Sequence, residues 1–262
     1  MADSDRHHPI VRFVRRRLSL GVPYGLATTA AFAVIGIGAW GFLGVVDAWT
    51  EGDDLARYDD LAHGVLYTLL GESPRLGEAV TWFGNNSTLT AGVVLVALAL
   101  VLAKRYWSAF RVVFTTAVGG LLNLGLKTFF ARARPMDQVI EATGYSFPSG
   151  HTMGGTVFYG VLIYLVWRLT EKTWARVLAT VVGVFLIVAV GLSRVYLNVH
   201  FLTDVIGGWL AGVAWLVAAL LLIDVIETRY RSATERREER ARPDDADPQP
   251  HPAVDAAARP SG

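Results

Sequence analysis

Long uncharged apolar runs separated by short polar stretches set the pattern of this chain. Leu18–Val46 carries no charge over 29 positions, and Ala79–Ala103 none over 25. Both exceed the roughly 20 residues that a helix needs to cross a bilayer. Four further blocks are interrupted only near one end. Val112–Ala131 contains Lys127, Ala142–Trp167 contains His151, Val177–Ser193 stops at Arg194, and Phe201–Ile223 contains Asp204. The pattern predicts an all-α polytopic membrane protein with six transmembrane helices. The first block is far longer than the roughly 7–15 apolar residues of a cleaved signal peptide, so it reads as an uncleaved first span.

Three segments fall outside this plan. Residues 1–17 form a basic arm, and 18–227 hold the six-helix membrane domain. From about Thr228 to residue 262 the chain is charged, then rich in Pro and Ala, which predicts a largely disordered tail. Between the first two spans, residues 47–78 form an acidic loop. Within it Leu55, Tyr58, Leu61, Ala62, Val65, Leu66 and Leu69 recur at helical spacing, which predicts an amphipathic helix lying on the membrane.

Composition narrows the function classes. Of the 262 residues 53% are hydrophobic and 18% charged, against about 25% charged in soluble domains. Lys plus Arg number 24 and Asp plus Glu 23, a net charge of +1 that lacks the basic excess of a nucleic-acid binder. The absence of cysteine excludes disulfides, thiolate nucleophiles and Cys-ligated metals. The distribution of basic residues says more than their sum. Eighteen of the 24 fall before the first helix, between helices 2 and 3, between helices 4 and 5, or in the tail. By the positive-inside rule both termini are cytoplasmic. The opposite side holds only Arg57, Arg75, Lys127, Arg132, Arg134 and Arg194.

Ionisable groups in membrane helices are expensive and point to function. Lys127 is near the end of the third helix and His151 near the start of the fourth. Arg194 ends the fifth, while His200 and Asp204 open the sixth. Successive helices alternate in direction, so these ends share one face of the membrane, the external one by the charge count. Arg134, in the loop between helices 3 and 4, joins them. Singly each has a plain role, as a snorkelling cation, a packed histidine or, for Ser149-Gly150, a helix start. Together, cations and backbone N–H groups at a helix N-terminus make an anion site, for which phosphate is the usual occupant. An aspartate one turn beyond a histidine fixes its tautomer and frees the other ring nitrogen as a nucleophile. A second histidine supplies or removes a proton near neutral pH.

These residues also fall into three ordered motifs. Lys127-Thr-Phe-Phe-Ala-Arg-Ala-Arg134-Pro135 fits K-x6-R-P, Pro148-Ser149-Gly150-His151 is P-S-G-H, and Ser193-Arg194 through His200 to Asp204 is S-R-x5-H-x3-D. The chain thereby resembles the type 2 phosphatidic acid phosphatase superfamily, with Leu202 standing where a proline is frequent. The resemblance implies that His200 attacks phosphorus to form a phosphohistidine, oriented by Asp204. It implies that His151 protonates the leaving lipid oxygen and then activates water. Lys127, Arg134 and Arg194, with Ser149 and the Gly150 amide, would hold the phosphoryl oxygens. No metal or other cofactor is expected. The expected partners are a lipid phosphate substrate and membrane lipids, with no nucleic acid.

Two other classes share parts of this pattern. A vanadate-dependent haloperoxidase shares the phosphate cradle but is typically soluble. A transporter or non-catalytic scaffold would carry its polar groups at mid-depth, whereas here they sit at helix ends. Among substrates, phosphatidic acid-like monoesters, phosphatidylglycerophosphate and polyprenyl (undecaprenyl) diphosphate all suit the motifs, which do not encode tail length.

Overall fold

The structure, a computed structural model, describes residues 25–51, 54–71 and 73–241. The basic arm and residues 242–262 lie outside the described residues. Helix α1 is Leu26–Thr50 and α2, the amphipathic helix, is Asp54–Leu70. Then come α3 (Pro74–Thr81), a 3-10 turn (Trp82–Gly84) and α4 (Asn86–Leu102). They are followed by α5 (Tyr106–Phe130), α6 (Gly150–Leu169), α7 (Thr173–Tyr196) and α8 (Leu202–Ala241). Among the described residues six stretches are long and apolar enough to cross a membrane: α1, the α3–α4 stretch, and α5 to α8. The all-α, six-helix expectation is met.

Two boundaries differ from those read in the sequence. The second span is broken rather than continuous, because the turn at Trp82–Gly84 interrupts it. Close packing requires the glycine at this break: a Cβ on Gly84 would lie 2.4 Å from Val190 Cγ1 and 3.3 Å from His151. The tail, expected to be disordered from Thr228, is helix as far as Ala241. The chain divides at this helix into a first unit ending at Asp224 and a second beginning at Val225. Within the second, Arg231 donates to Glu227 one turn earlier at 2.6 Å, and no Gly or Pro interrupts residues 225–241. Spaced charges of both signs favour a solvated helix as well as a coil.

In the first unit the spans turn apolar side chains outward. Ile37, Trp40, Leu95, Leu121, Phe129 and Phe185 are all exposed, as expected of surfaces whose solvent is lipid. Small residues allow the helices to approach closely inside. Gly208 and Gly212, one turn apart on α8, face Thr152 and Thr156 on α6. Phe147, fully buried, plugs the bundle beneath the loop between α5 and α6, with the rings of Phe42, Phe130 and Trp49 at 5.2, 5.2 and 6.1 Å. Toward the opposite end Arg111, Tyr164 and Arg168 all donate to Asp224.

Helix α2 packs with an inverted face. Tyr58, Leu61, Val65 and Leu69 of its apolar stripe are exposed, while Asp59 is buried. His63 Nδ1 lies 3.0 Å from the carbonyl of Val195, and Tyr196 donates to the carbonyls of Gly71 and Ser73 at 2.6 and 2.9 Å. Leu66 and Tyr67 also pack against Tyr196, Leu197 and Val199, so polar and apolar contacts together fasten α2 to the end of α7 while Tyr58, Leu61, Val65 and Leu69 stay exposed.

A Cβ on Gly212 would meet Thr156 Cβ at 2.8 Å. Gly212→Leu is therefore expected to cost about 1–3 kcal/mol by overpacking, read as a lowered thermal unfolding midpoint in detergent, with Gly212→Ala less affected.

Candidate active site

The three motif segments converge because three local devices end their helices on one layer. Helix α5 stops when Ala131 enters the left-handed region at φ 47°, which sends residues 132–149 back across the bundle end. That loop is fixed at several points. Ser146 N–H donates to the Arg132 carbonyl at 2.8 Å, and Lys127 Nζ donates to the carbonyls of Tyr145 and Ser146 at 2.6 and 3.1 Å. After α7, Asn198 takes φ 50°, a conformation that asparagine tolerates better than most residues. The amides of Val199 and His200 then fold back onto the Arg194 carbonyl at 3.2 and 3.3 Å. Ser149 N–H reaches the Asp204 carbonyl at 3.0 Å, which joins the start of α6 to the start of α8.

A cavity of about 1030 Å³ opens at this layer and is lined by Lys127, Arg134, Gly150, His151, Arg194 and His200, among others. Six of the eight residues singled out in the sequence therefore share one wall. Asp204 and Ser149 are fully buried. Asp204 lies behind His200, its Oδ2 3.2 Å from His200 Nδ1. With Nδ1 protonated toward this carboxylate, His200 Nε2 keeps its lone pair, which faces Arg134 Nη1 at 3.2 Å. Burial pushes the imidazole down to about 4 against the hydrogen bond and charge of Asp204, which pull it up; Arg134 and Lys127 lower it further. His200 is thus neutral at physiological pH, the state a nitrogen nucleophile requires.

Arg134 is anchored by the carbonyls of Thr143, Gly144 and Val199 at 3.1, 3.0 and 2.7 Å. Arg194 donates to Thr81 Oγ1 at 2.7 Å, while its buried Nε has no partner among the described residues. His151 Nε2 lies 2.8 Å from Asn85 Oδ1. A protonated Nε2 donates there, so a proton is held at the cavity wall. A Cβ on Gly150 would lie 3.0 Å from Asn123 Oδ1, so glycine suits this tight helix start. Ser149 is fully buried and does not line the cavity: its hydroxyl accepts from Thr152 at 2.9 Å and its amide donates to Asp204. Its position ties α6 to α8 instead of facing the cavity.

Several site residues escaped the sequence reading. Thr81 and Asn85 flank the break in the second span, which hydropathy smooths over. Arg132 was counted only as an external charge, yet its Nη1 donates to Asp204 Oδ1 at 2.6 Å. Ser146 Oγ donates to Asp204 Oδ2, and nothing in the pattern marks it. Glu78 and Glu141 also line the cavity, so its wall is less uniformly cationic than the motifs imply. Among the described residues no group of three or more His, Asp or Glu side chains is arranged to hold a metal ion.

Residues 108–226 match the family model described as PAP2 superfamily. The chain is similar to Phosphatidylglycerophosphatase B of Bacillus subtilis (strain 168), with 32% identity over 149 residues covering 55% of this chain and 73% of the relative. It is also similar to an Undecaprenyl-diphosphatase of Sulfolobus acidocaldarius, 31% identical over 47% of this chain and 59% of the relative. Among solved structures it resembles a transmembrane PAP2 type phosphatidylglycerolphosphate phosphatase from Bacillus subtilis. There the TM-score is 0.65 at 26% identity, over 74% of this chain and 96% of that one.

Three cations and a helix start around one cavity should bind inorganic phosphate. Phosphate is expected to raise the unfolding midpoint of the purified protein, and Arg194→Ala to abolish that rise. An unchanged rise in the variant would remove Arg194 from the anion site.

Proposed function

The chain belongs to the PAP2 superfamily, and on that premise we propose that it is a membrane lipid phosphatase hydrolysing a phosphatidic acid-like monoester through a phosphohistidine. The observation that carries this reading is the shape of the cavity around His200. From Lys127 it continues along α5 past Leu124 and Ala117 to Val113, beside Leu89 and Val93 of α4. Fourteen helical residues separate Lys127 from Val113, about 21 Å of axial rise. A charged phosphate would sit among the cations while its apolar chain lies between α4 and α5.

The residues would then divide the work as follows. His200 Nε2 attacks phosphorus as the bond to the lipid oxygen breaks, and His151, protonated on both ring nitrogens when the substrate dianion is bound, gives its Nε2 proton to that departing oxygen and becomes neutral. Asp204 stabilises the cationic ring of the phosphohistidine. His151 next takes a proton from water, whose oxygen attacks phosphorus, releasing inorganic phosphate and restoring His200. Lys127, Arg134, Arg194 and the Gly150 amide meet charge that grows on the phosphoryl oxygens in the transition state. Ser149 supports this cradle from behind. No step calls for a metal ion.

The same chemistry serves phosphatidylglycerophosphate and undecaprenyl diphosphate, the alternatives to which the names of the relatives point. For the orientation, the asymmetry of basic residues supports cytoplasmic termini and an active site on the external or periplasmic side of the cell membrane.

Purified protein should release phosphate from at least one of phosphatidic acid, phosphatidylglycerophosphate and undecaprenyl diphosphate in matched micelles, with turnover persisting in EDTA. His200→Ala should abolish it while the protein remains monodisperse; retained turnover would refute the nucleophile. Because His200 must be neutral, kcat/KM should fall as pH drops toward about 4. Reporters fused after Trp49 and at the C-terminus should mark opposite compartments.

A further inference from the structure

A network on the far side of Asp204 from His200 reaches into the amphipathic helix. Asp204 Oδ2 is shared by His200 Nδ1, Phe201 N–H at 3.0 Å and Ser146 Oγ. Its Oδ1 accepts from Arg132 at 2.6 Å. Arg132 also donates to Thr203 Oγ1 at 2.7 Å and to Asp59 Oδ2 at 3.1 Å. The rings of Phe201 and Trp49 lie 4.3 and 4.9 Å from its guanidinium carbon, cation–π contacts that hold it in place. Asp59, 4% exposed, accepts in addition from Thr203 N–H and Thr203 Oγ1, each at 2.8 Å. Thr203 lies in the first turn of α8, whose amides have no partner within the helix. A residue of α2 therefore caps the helix that carries Asp204, one position before it.

We propose that Asp59 and Arg132 are positioning residues for hydrolysis, acting through Asp204 and not on the substrate. Neither lines the cavity. The inference rests on His200 as the nucleophile. Two physical effects follow from the arrangement. Arg132 gives Oδ1 a partner and so locks the carboxylate with Oδ2 toward His200; without it a buried oxygen loses its hydrogen bond. Asp59 balances the charge. Arg132 and Asp204 alone would be neutral, leaving no net negative charge behind a phosphohistidine ring that becomes cationic. With Asp59 the cluster carries one net negative charge, next to the ring where positive charge develops.

The two charges act on His200 in opposite senses, which separates positioning from simple structural support. The groups facing His200 are Asp204 on its own helix, Arg134 and Ser146 from the loop, Lys127 on α5, His151 on α6 and Arg194 on α7. All of them stay in place in the test. Asp59→Asn removes a negative charge, which disfavours protonated His200 and moves the acid limb of kcat/KM to lower pH. Arg132→Gln removes a positive charge and moves that limb to higher pH.

The experiment uses the full chain in detergent, assayed on the lipid phosphate that it turns over, with His200→Ala as the reference. Both single variants are expected to lose kcat by roughly tenfold to a hundredfold, the range seen when orienting partners of a site are removed. KM should stay within about twofold, because neither residue touches substrate. The acid limbs should move apart, Arg132→Lys should recover part of the lost kcat, and the double variant should bring its limb back toward the wild-type position. Limbs that stay put or move together in variants that remain monodisperse would overturn the proposal, as would unchanged kcat. Turnover retained in His200→Ala would instead refute His200 as the nucleophile, the premise on which the inference rests.

Discussion

A carboxylate with no contact to water must be compensated by charge and by hydrogen bonds, and Asp204 is that carboxylate here. Its partners come from separate parts of the chain: Arg132 and Ser146 from the loop after α5, His200 and Phe201 from the turn after α7. Removing any of them leaves a buried charge less satisfied, so loop and turn are held against each other by the same group. The backbone follows suit, with the Asp204 carbonyl taking the first amide of the P-S-G-H helix. One expensive burial thus specifies how three motifs meet, and the cavity is the space left between them.

Much of this was legible from pattern alone. Six spans follow from apolar length, and the convergence of Lys127, His151, Arg194 and Asp204 follows from alternating helix direction. Their shared layer needs no tertiary information beyond parity. What stayed hidden depends on contacts distant in sequence. Asp59 and Thr203 stand 144 positions apart, and an acidic residue in an acidic loop has no mark of its own. The break at Trp82–Gly84 was invisible because Trp, Phe and Gly leave hydropathy unchanged. Charge in the tail does not distinguish coil from helix, since Glu and Arg at one-turn spacing, as in Glu227 and Arg231, also support a helix. Ser149 has contacts that no motif announces, its amide and hydroxyl meeting Asp204 and Thr152.

The apolar stripe of α2 has a similar lesson. Amphipathic spacing predicts two faces but does not say which one meets the protein. Here Asp59, the ring of His63, Leu66 and Tyr67 supply the inward contacts, and Leu61, Val65 and Leu69 face outward. A helix that keeps part of its apolar stripe outward suits a boundary where the surrounding medium is itself apolar.

The order of the pieces along the chain has a consequence for biosynthesis. Lys127, Arg134, His151 and Arg194 are all made before His200 and Asp204, which open the last span. A nascent chain with five spans inserted would hold a cluster of cations with neither the proposed nucleophile nor its carboxylate. The final helix would bring both together, so assembly of the bundle and onset of hydrolysis would coincide in one insertion event, and a chain stalled before it would be inert toward the lipids around it.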